Sequence, residues 1–327
     1  MRLAILDDYL DVSQGLVDWS RISRRCEIAV LNRKLFSEDE AAAALADVDV
    51  ICTLRERTAF PASLLARLPR LKYIAVTGMR YDSVDVTAAT RLGILVSNSE
   101  VVRGGGGVSE LAWGLVIATA RHIAQEDASM RRGGWQTRVG FTLRGKTLGI
   151  LGLGRLGSRM AAYAHAFEMR VLAWSPRLTA ERASAQGAEC VAMDELLRQS
   201  DVVTIHLPLA EGTRDLIAAR ELSLMKSDAI LVNTARAAIV NQDALLDTLR
   251  HSRIAGAGLD VFDIEPLPAD HPLRGLGNTV LTPHIGYFTR EMLTVYYEDA
   301  VEAISGFLDG RPIRIVNPDA MARARAR

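Results

Sequence analysis

Three side chains suited to acid–base and anion chemistry follow three separate apolar segments of the chain. Arg236 follows residues 229–234, Glu265 follows 256–261, and His284 follows 279–282. An arginine can bind a carboxylate through two parallel hydrogen bonds. A histidine can exchange a proton near neutral pH, and an adjacent glutamate favours its imidazolium form. Together they supply the anchored anion and the proton that hydride transfer to a 2-keto acid requires, although each alone could be a loop charge or a structural histidine.

A glycine motif, Gly152-x-Gly154-x-x-Gly157, lies between an apolar strand pattern at 147–151 and a helical pattern that continues to Phe167. Gly152 permits a tight turn, Gly154 lets a pyrophosphate approach the backbone, and Gly157 lets the helix pack closely on the strand. The start of the helix offers N–H donors to phosphate groups. The alternative is a tight turn without a ligand, but the flanking patterns favour a dinucleotide site.

Short β-rich segments alternate with helical segments along most of the chain. This alternation predicts the α/β class, with two doubly wound parallel-sheet domains. The predicted strands of the first domain are 3–7, 27–31, 49–54, 72–77 and 94–97, and those of the second are 147–151, 170–175, 201–207, 229–234, 256–261 and 279–282. Predicted helices include 37–46, 61–67, 109–122 and 291–308.

The helix predicted at 291–308 has no further sheet to join, so we expect it to return to the first domain. We therefore predict a Rossmann cofactor domain, 99–289, inserted into a discontinuous flavodoxin-like substrate domain, 1–98 plus 290–327. Four consecutive glycines at 104–107 suit a hinge or a close backbone approach. The helix at 109–122 carries more apolar residues than one buried stripe needs, which predicts a homodimer, unless one chain buries both faces. These residues are Leu111, Ala112, Trp113, Leu115, Val116 and Ile117.

The composition gives the molecule no net charge, and so no strong overall electrostatic field. Lysine plus arginine and aspartate plus glutamate number 39 each, so we expect neither nucleic acid nor a membrane surface as a partner. No apolar run has the roughly 18 residues of a membrane helix, and the N-terminus does not resemble a signal peptide. Cys26, Cys52 and Cys190 have no ligand-like spacing, which predicts no metal site and a reducing, cytoplasmic location. The Arg-Ala repeat at 321–327 is expected to be a solvated terminus.

Several blocks of sequence resemble the signature blocks of the D-isomer-specific 2-hydroxyacid dehydrogenases. They recur in order from residue 69 to residue 284, and so cover most of the chain. The blocks are Pro69-x-Leu-Lys72, Leu143-Arg-Gly-Lys-Thr147, His206-Leu-Pro208, Leu231-Val-Asn-Thr-Ala-Arg236, Gly256-Ala-Gly-Leu-Asp-Val-Phe262 with Glu265-Pro266, and Leu281-Thr-Pro-His-Ile-Gly286.

The resemblance implies a role for each matching residue. Arg236 would orient the carboxylate and keto oxygen of the substrate, His284 would protonate that oxygen, and Glu265 would hold and polarise the imidazole. Asp260 would bind the nicotinamide carboxamide, or else only the backbone of its own loop. Backbone amides at Gly78 and Met79 would bind the substrate carboxylate. Domain closure about 98–108 and 285–289 would exclude water.

The cofactor is predicted to be NAD or NADP. NAD-specific relatives place an aspartate where this chain has Ser175, and Arg177 lies two residues further on. This favours NADP, unless Arg177 points to water and either cofactor is accepted. The remaining residues assigned to the cofactor site are Arg155, Leu156, His206, Thr213, Thr234 and Gly286.

Other departures from the family pattern leave the substrate open. Tyr287 and Phe288 stand where relatives have small residues, and would either narrow the substrate pocket or pack a domain interface. Residues 54–58 resemble a segment of phosphoglycerate dehydrogenases, so Arg55 or Arg57 would face a substrate phosphate or form surface ion pairs. The chain ends soon after the helix at 291–308, so no C-terminal regulatory domain is expected. Glyoxylate, hydroxypyruvate, phosphorylated and larger 2-keto acids remain candidates, and the alternative to an enzyme is a dinucleotide-sensing corepressor.

Overall fold

A computed structural model describes residues 1–99 and 106–324. Residues 100–105, which include two of the four glycines predicted as a hinge, lie outside the described residues. So do 325–327, the end of the Arg-Ala repeat. The chain divides into two compact units, Met1–Gly105 with Thr289–Arg327 (unit 1) and Gly106–Phe288 (unit 2).

The described residues contain twelve strands and fourteen α-helices. The strands are β1 Arg2–Ile5, β2 Glu27–Val30, β3 Val50–Thr53, β4 Tyr73–Val76, β5 Leu95–Ser97, β6 Thr147–Leu151, β7 Arg170–Trp174, β8 Glu189–Cys190, β9 Val202–Ile205, β10 Ile230–Asn233, β11 Gly256–Leu259 and β12 Thr279–Leu281. The helices are α1 Ser13–Leu16, α2 Ser20–Ser23, α3 Glu38–Leu45, α4 Ala62–Leu65, α5 Val86–Arg91, α6 Gly107–Ala120, α7 Ile123–Arg131, α8 Arg155–Ala166, α9 Ala180–Ser184, α10 Met193–Gln199, α11 Ala219–Leu224, α12 Gln242–Arg250, α13 Arg290–Leu308 and α14 Ala320–Ala324.

Unit 1 is built on a five-stranded parallel sheet in the order β2-β1-β3-β4-β5. Strands β3 and β4 are fully buried, as expected for strands covered by helices on both faces. The long helix α13 packs against α1, α2 and β4, and its Phe307 ring stacks on Tyr73 at 4.5 Å. The helix predicted to return to the first sheet therefore does so.

Unit 2 is built on a seven-stranded parallel sheet in the order β12-β11-β10-β9-β6-β7-β8. The order reverses direction between β6 and β9, which is the arrangement of a dinucleotide-binding sheet. Six of these strands coincide with predicted segments. The seventh, β8, has only two residues at the sheet edge, too few to give a recognisable hydrophobic pattern.

Helix α6 corrects the argument made for a dimer. Ala112, Trp113, Leu115 and Val116 are buried in the core of unit 2, and Leu111 and Ile117 are partly buried against it. The helix contacts α8 and the strands β10, β11 and β12, which explains why most of its circumference is apolar. The apolar residues beyond one buried stripe therefore pack against the core of the same chain. None of the helices in the described ranges has the length and apolar character to cross a lipid bilayer.

The glycine turn between β6 and α8 is shaped by backbone contacts. Gly152 has φ +106°, and a Cβ at this position would lie 2.7 Å from the carbonyl carbon of His206. A Cβ at Gly157 would lie 2.2 Å from the carbonyl oxygen of Gly152. Neither neighbour is a side chain that could rotate away, so both positions require glycine.

Substitution within this turn tests whether packing requires glycine at position 157. We expect Gly157→Ala to reduce the free energy of unfolding by about 1–3 kcal/mol, because the added methyl overlaps backbone. Gly154→Ala is the matched control. Apart from its chain neighbours and its own helix, no described atom lies within 4 Å of that Cβ position. Its effect should stay within about 0.5 kcal/mol. Denaturant unfolding without cofactor measures both, and equal losses would contradict this account.

Candidate active site

The predicted site residues of unit 2 lie at the carboxyl edge of its sheet. Arg236 follows β10, Asp260 and Glu265 follow β11, and His284 follows β12. These three strands are neighbours in the sheet, so the loops that carry the side chains are adjacent. The carboxyl edge is where open parallel sheets bind ligands.

Glu265 and His284 form a hydrogen-bonded pair, with 2.6 Å between Oε2 of the glutamate and Nδ1 of the histidine. The other carboxylate oxygen, Oε1, accepts from the backbone N–H of Phe262 at 2.9 Å. Burial alone would raise the pKa of Glu265. Four interactions outweigh burial and lower the pKa of Glu265. They are the hydrogen bond from His284, the charge of His284, the hydrogen bond from the Phe262 amide and the charge of Arg236. The pair therefore holds an ionised carboxylate against one ring nitrogen and leaves Nε2 as the outward nitrogen.

Asp260 is a buried carboxylate that holds the loop carrying His284. Its Oδ1 accepts from the hydroxyl of Thr282 at 2.6 Å and from the N–H of Ile285 at 2.8 Å. Its Oδ2 accepts from the N–H of Gly286 at 2.9 Å. Burial nevertheless raises its pKa. The structure therefore gives Asp260 the loop-binding contacts named as its alternative role, and its contact with a carboxamide stays a prediction.

Arg236 lies in a loop fixed by Asn233. The Asn233 side chain donates to the carbonyl oxygen of Arg236 at 3.0 Å and accepts from the N–H of Ala235 at 3.0 Å. The half-buried guanidinium of Arg236 donates through Nη1 to the carbonyl oxygen of Ala235 at 2.8 Å. Its charge contributes to lowering the pKa of Glu265, which places it within electrostatic range of the acid–base pair.

The glycine turn and the start of α8 fit the diphosphate of a dinucleotide. Gly154 is the N-cap, and no side chain of the described residues caps the helix, so within that part of the chain the first N–H groups, those of Arg155 and Leu156, have no capping side chain. The space at Gly154 is open, as close approach of a ligand to the backbone requires. At the end of β10, the buried Oγ1 of Thr234 has no hydrogen-bond partner among the described residues. It could bond to a ligand group.

Ser175 contacts the glycine turn itself. Its hydroxyl accepts from the N–H of Leu153 at 3.0 Å, so it supports the turn at the point where β7 ends. Arg177 is exposed, and its carbonyl oxygen accepts from the guanidinium of Arg182 at 3.3 Å. Two cationic side chains therefore stand on the segment after β7, where an acidic residue would have bound ribose hydroxyls.

Two other residues assigned to the cofactor site have local partners. The Nε2 of His206 lies 2.9 Å from the Thr204 hydroxyl, and burial lowers the pKa of His206 to about 4, so its ring is neutral at pH 7. The hydroxyl of Thr213 donates to the carbonyl oxygen of Pro208 at 2.7 Å and accepts from the N–H of Ala210 at 2.8 Å. Thr213 thus closes the turn after β9.

The aromatic residues after His284 pack against the catalytic candidate. Tyr287 is buried, and its ring meets the imidazole of His284 edge-on, with 5.8 Å between ring centroids. Phe288 meets Tyr287 edge-on at 6.1 Å. Tyr287 therefore borders the His284 imidazole directly.

In unit 1, the predicted substrate residues also lie at the carboxyl edge of a sheet. Arg55 follows β3, and Gly78 and Met79 follow β4. The N–H of Gly78, predicted to bind a carboxylate, donates to the hydroxyl of Ser99 at 3.2 Å. Arg57 donates to the carbonyl oxygen of Asp7 at 3.1 Å.

Sequence reasoning missed the residues that hold these loops in place. Thr282 and Asn233 support the catalytic candidates of unit 2, and Thr77 accepts from the N–H of Arg55 at 2.9 Å in unit 1. Each is a polar residue at or just after the end of an apolar strand. That position could have identified them, because a polar side chain there can bond to the next loop.

Comparison with known proteins agrees with this geometry. A family model described as "D-isomer specific 2-hydroxyacid dehydrogenase, NAD binding domain" matches residues 113–286. A glyoxylate reductase from Aeropyrum pernix is 44% identical over 264 residues, which cover 78% of this chain and 78% of that protein. A hydroxypyruvate reductase from Blautia hydrogenotrophica is 30% identical over 328 residues, which cover 97% of this chain and 100% of that protein.

The fold is also found in solved structures. The crystal structure of a putative D-3-phosphoglycerate dehydrogenase from Ralstonia solanacearum superposes with a TM-score of 0.93 at 36% identity, covering 100% of this chain and 99% of that one. The similarity to named reductases and dehydrogenases favours an enzyme over the sensing alternative. The resemblance seen in the sequence is confirmed, and the chain belongs to the D-isomer-specific 2-hydroxyacid dehydrogenase family, whose members are nicotinamide-dependent oxidoreductases.

Proposed function

We propose that this enzyme interconverts a short 2-keto acid and the corresponding 2-hydroxy acid, with His284 and Glu265 as the proton-transfer pair. The observation that carries the proposal is the 2.6 Å contact between Glu265 Oε2 and His284 Nδ1. A carboxylate bonded to one ring nitrogen fixes the orientation of the imidazole and leaves the other nitrogen to act on substrate.

The chain's own residues then have distinct tasks. A bound nicotinamide cofactor would supply or accept the hydride. In the reductive direction, His284 donates the proton on Nε2 to the keto oxygen and becomes neutral, while Glu265 remains ionised. Arg236 binds the substrate carboxylate through its planar fork and polarises the keto oxygen. Asp260 acts on the reaction by holding the loop of His284.

The substrate proposal is supported by the names of the relatives, a glyoxylate reductase and a hydroxypyruvate reductase. A panel of glyoxylate, hydroxypyruvate, phosphohydroxypyruvate and pyruvate, followed by loss of reduced nicotinamide absorbance, tests it directly. Highest kcat/KM with glyoxylate or hydroxypyruvate is expected. Highest kcat/KM with the phosphorylated acid would favour a phosphoglycerate dehydrogenase. Tight cofactor binding without turnover of any acid would restore the sensing alternative.

We propose further that NADP(H) is preferred over NAD(H). Ser175 provides no carboxylate to repel a 2′-phosphate, and its hydroxyl is bonded to the Leu153 amide. Arg177 and Arg182 lie on the same segment and could pair with a phosphate.

We also propose a homodimer, on a different surface from the one expected from the sequence. Large apolar side chains are exposed on α7 and the loop that follows it, including Val139, which is 95% exposed. The others are Ile123, Met130 and Trp135. Exposed apolar surface of this kind is typical of interfaces.

We also propose a cytoplasmic location. All three cysteines are free thiols, which supports it.

Replacing the proposed proton donor should abolish most turnover. We expect His284→Ala to reduce kcat by about 10²–10⁴-fold, the usual contribution of a general acid, with cofactor affinity unchanged. His251→Ala is the control, since that exposed histidine pairs only with surface Asp247 in the ion pairs described. Near-native kcat in His284→Ala would contradict the assignment.

Exchanging the charges after β7 should reverse the cofactor preference. In Ser175→Asp with Arg177→Ala, we expect the ratio of kcat/KM for NADPH over NADH to fall by about 10- to 150-fold, because a charge-assisted bond is lost and a repulsive carboxylate gained. Arg144→Ala removes an exposed arginine before β6 and should leave the ratio unchanged. A wild-type enzyme that already prefers NADH would show that Arg177 does not meet the cofactor.

Light scattering should give a mass near twice the 35.7 kDa of the chain. Val139→Glu should shift the protein toward the monomer, because burying an unpaired charge opposes association. Phe36→Glu changes an equally apolar residue, 76% exposed, in unit 1 and should leave the mass unchanged. A wild-type protein that is monomeric at micromolar concentration would rule out the dimer.

A further inference from the structure

The backbone of Arg55 adopts a conformation that an arginine rarely takes. Its φ is +58°, in the left-handed region that favours glycine. The residue follows the carboxyl end of β3, and its N–H donates to the hydroxyl of Thr77 at 2.9 Å, just beyond the end of the neighbouring strand β4. The left-handed turn and this hydrogen bond together fix where the side chain leaves the sheet.

Among the described residues, two further side chains contact the guanidinium of Arg55. Its Nη1 donates to the hydroxyl of Tyr296 at 2.8 Å, and the centre of the guanidinium lies 5.9 Å from the centroid of that ring. Its Nε donates to Glu56 Oε2 at 3.2 Å. Tyr296 is 2% exposed and lies within α13, so the phenol is an anchored partner.

This arrangement places Arg55 against the loop that follows β4. A Cβ on Gly78 would lie 3.1 Å from Cδ of Arg55, so the aliphatic part of the arginine lies over the glycine. The next residue, Met79, is half exposed, and its carbonyl oxygen accepts from the side chain of Asn98 at 2.9 Å. A partly exposed cation therefore stands at the edge of the sheet, beside a loop held by hydrogen bonds.

We propose that Tyr296 is a positioning residue, which holds the guanidinium of Arg55 so that it can bind the anionic end of the substrate. The proposal rests on the proposed function, because it assumes that a 2-keto acid binds at this edge of unit 1. An arginine side chain loses rotamer freedom when it is immobilised. Tyr296 imposes that restriction before substrate binds, so the substrate's binding energy is not spent on ordering the arginine.

The test is a double-mutant cycle on Arg55 and Tyr296, with binding and turnover measured separately. The binding probe is oxamate, an unreactive analogue of pyruvate, titrated calorimetrically into the full-length enzyme saturated with reduced cofactor. We expect Tyr296→Phe, which keeps the ring but loses the hydroxyl, to raise the dissociation constant of oxamate and the KM of the best keto acid about 3- to 10-fold. The kcat and the affinity for cofactor should change less than about twofold.

Tyr297→Phe is the matched control. It removes the same hydroxyl from the adjacent residue of α13, whose ring packs edge-on against Trp19. In the Arg55→Ala background, Tyr296→Phe should have no further effect, because the group it positions is gone. Equal effects with and without Arg55, no effect in either background, or an equal effect of Tyr297→Phe would overturn the proposal. These results would be obtained with normal turnover, whereas loss of the proposed function would appear as wild-type enzyme that reduces no keto acid.

Discussion

In unit 2, the position of the loop that carries His284 depends on one buried carboxylate, that of Asp260. A buried charge is costly unless donors surround it, and the hydroxyl of Thr282 with two backbone N–H groups offsets part of that cost. Those donors all belong to residues 282–286, so satisfying the carboxylate also fixes the loop. His284 lies inside that segment, and its ring is thereby presented to Glu265. Asp260 thus sets the geometry of the pair that we propose for proton transfer.

Polar side chains also bond to the following loops at other strand ends. Asn233 bonds in both directions to the loop that carries Arg236, and Thr77 accepts from the N–H of Arg55. In each case a loop backbone group lies beyond the end of the strand and has no neighbouring strand to bond to. A polar side chain at the edge of the sheet supplies the hydrogen bond instead. Hydrogen bonds therefore hold the loops that carry the candidate side chains, which is the condition for keeping such groups in position before substrate arrives.

The sequence predicted the parts of this protein that follow from periodicity and from local chemistry. Both parallel sheets, the glycine turn and the Glu265–His284 pair were expected, because apolar strands and charged strand ends are visible along the chain. The sequence could not show features that depend on three-dimensional neighbours. The burial of α6 required knowing that several strands and a helix surround it, and the bond between the Gly78 amide and Ser99 joins two loops distant in sequence. Tyr296 lies 241 residues from Arg55, and no spacing rule connects them.

Arg55 and His284, one beside each sheet, share a strained backbone conformation. Each follows the end of a strand with φ above +50°, a conformation that costs a non-glycine residue of order 1–3 kcal/mol. Other loop residues such as Glu168 share it, so the angle alone does not mark a functional group. At Arg55 and His284, hydrogen bonds hold both the backbone and the polar end of the side chain. Glycine would relieve the strain in either place, but would remove the guanidinium or the imidazole that the turn presents. The cost therefore follows from presenting a polar side chain from a turn whose backbone conformation favours glycine.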